Sequence, residues 1–236
     1  MNSLPLVVFL FFGHSNLDNA CAGICVDSIS ERVWAFGEEK KVYKPTNLKG
    51  GMYLFLNEMA LRYPGYNFCG VDYSAPSQKV SEIIPGDHRY EKMVKDVAYL
   101  KTVSTIGGIF LLYGFIEAAD KGKADNFYDA TQLLIKNIRK QAGNDSLPCI
   151  MARYEKNHRG ETISEKFWRY EIIIMQQIER IEKGDLFLKI APVKWVPGDY
   201  HCEGHHQTCP GLRIVMEDAA VVYQQNNFDF WNKESK

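Results

Sequence analysis

Neither sign of charge is in excess in this chain: 28 Lys and Arg stand against 29 Asp and Glu, for a formal charge of -1. That balance leaves no field to draw in nucleic acid or an anionic membrane surface. Blocks of like charge are missing as well, because Glu38-Glu39-Lys40-Lys41 is mixed and reads as a solvated turn. The apolar run from Leu4 to Phe12 falls far short of the roughly 20 residues a bilayer span needs. It also lacks the marks of a secretory leader, since no positive residue precedes it and no small-residue cleavage site follows. Read as a first strand, it opens the mature fold. Internal repeats, low-complexity tracts and linker-like shifts in composition are absent, so residues 1–236 are expected to form one domain. The 46% hydrophobic and 13% aromatic content supports a real core and excludes disorder.

Six cysteines are present. Cys21/Cys25 and Cys202/Cys209 are close enough in sequence to pair, whereas Cys69 and Cys149 sit in apolar runs and read as buried thiols. On this pattern the expected location is outside the cytoplasm, secreted or periplasmic.

What the chain does have is a strand followed at once by chemistry. Val7-Val8-Phe9-Leu10-Phe11-Phe12 reads as a strand buried on both faces, and Gly13-His14-Ser15-Asn16 follows directly. Gly13 permits a sharp turn, which puts Ser15 just past the carboxyl end of the strand, where open α/β sheets bind ligands. A serine held there can act as a nucleophile with backbone N–H groups beside it; the bland alternative is that it caps the next segment.

Strands and helices then alternate. Arg32 to Phe36, Asn67 to Asp72, Gly108 to Gly114, Pro148 to Ala152 and Leu186 to Ala191 read as strands. Met52 to Tyr63 is helical by pattern and stopped by Pro64-Gly65. A second helix carries Tyr90, Met93, Val94, Val97 and Leu100 on one face. Asp125 or Asn126 can cap a third, with Ala130, Leu133, Leu134 and Ile138 on its apolar side and Gly143 at its end. Ile163, Phe167, Ile174, Ile178 and Ile181 mark a longer helix, and Leu212 to Tyr223 a closing one. The alternation predicts an α/β, doubly wound three-layer sandwich around a central, mostly parallel sheet.

A serine nucleophile needs a base, and the base an orienting acid. Three of the six histidines crowd into the stretch from Asp199 to Gly211, just before the last helix. A loop there can return to the sheet edge that holds Ser15.

Together these pieces resemble the SGNH (GDSL-like) hydrolases, whose fold is flavodoxin-like, and within them the sialate O-acetylesterase and acetylxylan esterase group. That group opens with Gly-Gln-Ser-Asn-Met, and Gly13-His14-Ser15-Asn16-Leu17 fits with His14 for Gln and Leu17 for Met. Arg32-Val33-Trp34-Ala35-Phe36 is similar to its Arg-Val-Trp-x-Phe strand, and Tyr63-Pro64-Gly65 also fits. The resemblance implies Ser15 as nucleophile, His206 as base and Glu203, in place of the usual Asp, as the orienting acid. Asp199 and His201 are the fallback acid and base. It implies no metal or organic cofactor.

The oxyanion positions depart from the pattern. The expected glycine falls near Asp72-Tyr73-Ser74, which has none, and the usual Gln-Gly-Glu falls near Phe115-Ile116-Glu117, where only Glu117 agrees. The chain is then either a divergent esterase with other donors, such as the Ser74 amide or Asn16, or a weakened relative. His14 would line the pocket, and Glu117 would fix the active-site loops by hydrogen bonding. Trp34, Tyr73, Tyr113 and Phe115 are candidate aromatic surface for a sugar ring, and a Cys202–Cys209 disulfide would stiffen the His206 loop.

The function this implies is removal of acetyl or other small acyl groups from a carbohydrate, by an enzyme expected to act as a monomer. Two rivals stand beside it: a non-catalytic carbohydrate-binding relative, and a metal-dependent hydrolase built on His201, Cys202, His205, His206 and Cys209.

Overall fold

The structure, a computed structural model, describes residues 4–18, 28–37, 40–45, 50–154, 169–193, 200–202, 206–207 and 209–231. Strand β1 (Leu6–Gly13) leads into a short helix α1 (Ser15–Asp18). Strands β2 (Val33–Phe36) and β3 (Val42–Tyr43), helix α2 (Gly51–Arg62), strand β4 (Asn67–Asp72), helix α3 (His88–Val103) and strand β5 (Thr105–Leu112) follow. The rest comprises α4 (Lys121–Asp125), α5 (Phe127–Ala142), β6 (Cys149–Tyr154), α6 (Glu171–Gly184), β7 (Leu188–Val193), a β8 (Tyr200–Cys202) and β9 (His206–Gln207) hairpin, and α7 (Cys209–Gln225).

Seven strands form one sheet in the order β3-β2-β4-β1-β5-β6-β7. All neighbours are parallel except β3, which runs antiparallel to β2 at the edge. Helices cover both faces. Val7, Phe9 and Phe11 of β1 share a core with α2 and α7, while Val8, Leu10 and Phe12 share one with α3, α5 and α6. This two-sided burial explains the unbroken apolar run, since neither set of alternate side chains meets water. Phe9, Phe11 and Phe12 are each at most 1% exposed, and burying a ring this fully stabilises the fold by about 1.5–3 kcal/mol.

The expected fold class is the observed one. Asp87 caps α3 by accepting from the Arg89 and Tyr90 amides, and left-handed Gly143 (φ 70°) closes α5. Four local expectations shift. Strand β5 begins at Thr105, before Gly108, and β7 begins at Leu188, because Leu186 and Phe187 lie in a turn held by Asp185, which accepts from the Phe187 amide. Leu133 is 48% exposed and lies off the buried side of α5. Asn126 precedes α5 without a side-chain cap, whereas Asp120 caps α4 by accepting from Lys123. Ile163 and Phe167 lie outside the described residues.

Candidate active site

From β1 the chain goes to β2, β3 and β4 on one side and then crosses to β5 on the other. The carboxyl end of β1 is therefore the point where the winding reverses, the usual ligand crevice of an open sheet. Ser15 stands there as the first residue of α1, half-buried. The turn before it is tight. A Cβ on Gly13 would lie 3.1 Å from both the Leu112 carbonyl oxygen and Leu17 Cβ, and the Leu17 amide donates to the His14 carbonyl at 2.9 Å. His14 is buried, its ring 5.8 Å from that of Phe115.

The β8–β9 hairpin pairs Tyr200 with Gln207 and Cys202 with His206, and β9 lies against α1. The backbone at His206 is thereby brought to the Ser15 turn from the far end of the chain. Asp199 and Glu203 lie outside the described residues, as do the side chains of Asn16, His201 and His206. Cys209, which opens α7 directly after this hairpin, is disulfide-bonded; the side chain of its expected partner, Cys202, is outside the described part. Cys69 and Cys149 are free and buried, and burial pushes both thiols well above their ordinary range.

Glu117 is 1% exposed and accepts from two loops, at Oε1 from the Val80 amide (2.9 Å) and at Oε2 from the Gly114 amide (3.0 Å). Burial raises its pKa, and the amides donating to it offset part of that rise. It therefore ties the segment after β4 to the segment after β5, the two that flank the end of β1.

The Ser74 amide is already engaged, because it donates to Asp72 Oδ1 at 2.7 Å in an Asx-type turn. That corrects the expectation of this amide as a free donor. Beside it, the Ala75 amide donates to the Gly13 carbonyl at 3.1 Å, fastening the loop to the Ser15 turn. Three of the four candidate sugar platforms are likewise corrected: Tyr73, Tyr113 and Phe115 are at most 4% exposed. Tyr73 stacks on Phe12 (4.9 Å) and donates to Asp96 Oδ2 (3.1 Å), and Tyr113 donates to Gln78 Oε1 (3.4 Å). Trp34 remains half-buried under the Lys44 ammonium, 4.0 Å from its ring. The Tyr113–Gln78 pair escaped sequence reasoning, having no local signal. The Asp72-x-Ser74 turn did have one, an Asx-turn spacing. Among the described residues no group of three or more His, Cys, Asp or Glu side chains is placed to hold a metal ion.

Residues 37–189 match the family described as carbohydrate esterase, sialic acid-specific acetylesterase, which is more than half of the chain. The chain belongs to this family. The match runs from the end of β2 into β7, between the Ser15 turn and the β8–β9 hairpin. Membership makes the chain a carbohydrate acetylesterase relative with an acetylated carbohydrate as the implied class of substrate. No curated protein sequence matches the chain.

Among solved structures this carbohydrate esterase chain is similar to a protein from Arabidopsis thaliana, at 17% identity and TM-score 0.75, covering 94% of this chain and 99% of that one. A carbohydrate acetylesterase from Xanthomonas citri aligns at 15% identity and TM-score 0.69, over 92% of this chain and 55% of the longer Xanthomonas chain. A GDSL-like lipase candidate from Parabacteroides merdae aligns at 13% identity and TM-score 0.61, over 96% and 98%. At these identities the likeness is one of fold, the SGNH/GDSL α/β sandwich. No helix among the described residues is long and apolar enough to cross a membrane.

Proposed function

We propose that the protein is a serine carbohydrate esterase that removes acetyl groups from a sugar or polysaccharide through a Ser15–His206–Glu203 triad. The observation that carries this reading is the approach of β9, which includes His206, to α1, which begins with Ser15, at the switch point of the sheet.

In the proposed reaction the His206 imidazole takes the Ser15 hydroxyl proton as Oγ adds to the acetyl carbonyl carbon. The carbonyl π pair moves onto oxygen, giving a tetrahedral oxyanion. When that pair returns, the bond to the sugar oxygen breaks and His206 gives its proton to the departing hydroxyl. Water, deprotonated by His206, then attacks acetyl-Ser15, and collapse releases acetate and the free serine. Glu203 accepts from the other ring nitrogen and stabilises the imidazolium. The disulfide at Cys209 supports an exported protein, since such bonds persist in oxidising compartments.

A fluorophosphonate probe tests the nucleophile. The expected result is one covalent adduct, mapped by peptide mass spectrometry to Ser15 and missing in Ser15→Ala. An adduct that persists in Ser15→Ala, or none on folded wild-type protein, contradicts the assignment.

A further inference from the structure

The end of β4 supplies three successive residues beside the Ser15 turn, and nearly every donor they own is already engaged. The Tyr73 amide donates to the Phe11 carbonyl at 2.9 Å, the Ser74 amide to Asp72 Oδ1 at 2.7 Å and the Ala75 amide to the Gly13 carbonyl at 3.1 Å. The Tyr73 hydroxyl donates to Asp96 Oδ2 at 3.1 Å. Across the turn, at the end of β5, the Gly114 amide is held by Glu117 at 3.0 Å. One donor of the tripeptide is left over. Ser74 Oγ is shielded from solvent and, among the described residues, has no hydrogen-bond partner. A hydroxyl in that condition is unfavourable unless something else satisfies it.

From this we infer that the Ser74 hydroxyl, not a backbone amide, is the oxyanion donor contributed by the β4 loop. The inference rests on the serine-esterase reading above. The reaction needs donors aimed at the oxygen that becomes negative, preorganised and screened from water. Ser74 is half-buried, and its loop is fastened to Gly13, two residues before the nucleophile. In the proposed reaction the hydroxyl keeps this shielded position beside the Ser15 turn. There it donates its proton in a hydrogen bond to the tetrahedral oxyanion while Ser15 Oγ forms the new bond to carbon; it gives up no proton, so the balance of the reaction is unchanged. The Asp72 carboxylate, by holding the Ser74 amide, fixes the backbone that carries the hydroxyl.

The test is steady-state hydrolysis of p-nitrophenyl acetate by wild type, Ser15→Ala, Ser74→Ala and Ser74→Thr, with the thermal midpoint of each. The inference predicts that Ser74→Ala loses about 10²–10³ in kcat, the usual range for one oxyanion donor, with KM nearly unchanged and a midpoint no lower than wild type. Ser74→Thr, which keeps a hydroxyl, stays within about tenfold of wild-type kcat. Wild-type kcat in Ser74→Ala overturns the inference and leaves the esterase reading standing. An equal loss in Ser74→Thr also overturns it, in favour of loop packing. If wild type shows no hydrolysis beyond Ser15→Ala, the esterase reading fails and takes this inference with it.

Discussion

With each oxygen of Glu117 accepting from a different loop, Val80 at 2.9 Å and Gly114 at 3.0 Å, neither can be replaced by a donor without leaving a buried amide unpaired. Glu117→Gln makes that replacement at constant shape. One amide then faces an NH₂ group, a loss of about 1–3 kcal/mol. For a chain of this size each kcal/mol is worth roughly 2–4 °C. The thermal midpoint of Glu117→Gln should therefore fall by several degrees, measurable by calorimetry, and an unchanged midpoint would remove Glu117 from its place as a clamp. At this scale the sequence was readable where a residue acts through its neighbours in the chain, as Gly13 does in the turn after β1. It was not readable where the partner comes from another element. Nothing in the sequence near Glu117 announces Val80, and nothing near Tyr113 announces Gln78.

Among the elements, β1 was legible because a strand buried on both faces has to be apolar throughout, and its flanking Gly13 marks the turn. Strand β5 was misjudged at its start for an equally physical reason. Gly107 looks like punctuation, yet it lies inside the strand with Gly108 because side chains of the neighbouring β1 occupy the space a Cβ would take. A Cβ on Gly107 would lie 2.5 Å from Val7 Cγ1, and one on Gly108 would lie 3.2 Å from a Phe9 ring carbon. Glycine here records close packing rather than a break. The β8–β9 hairpin was missed for a different reason. Its strands are only three and two residues long, with no apolar alternation to betray them, and what the sequence offers there is a cluster of histidines and cysteines. The cluster marks this part of the chain without revealing the strand that brings the His206 backbone to α1.

At the scale of the whole molecule, the core holds several acidic protons that water would release. Burial pushes the thiols of Cys69 and Cys149 and the phenols of Tyr73, Tyr113 and Tyr223 well above their ordinary values of 9.0 and 10.0. In the unfolded chain these groups ionise near those ordinary values, while the folded state keeps them protonated. The unfolded state then binds fewer protons, so stability is full below about pH 9 and is lost as pH rises beyond it. Each group contributes up to about 1.4 kcal/mol per pH unit above its unfolded pKa. The urea midpoint should be level between about pH 7 and 8 and clearly lower at about pH 10.5; equal midpoints at pH 8 and 10.5 would contradict this account of the core.

The same architecture brings α1, which begins with Ser15, against β9, which includes His206. Whether that meeting is catalytic is decided by the hydrolysis of p-nitrophenyl acetate by wild type, Ser15→Ala and His206→Ala. The account predicts Ser15-dependent turnover in wild type and a loss of at least about a thousand-fold in each variant, with the double variant no worse than either single one, as expected of residues that act as a unit. Wild-type turnover no faster than Ser15→Ala, or full activity in His206→Ala, would contradict it.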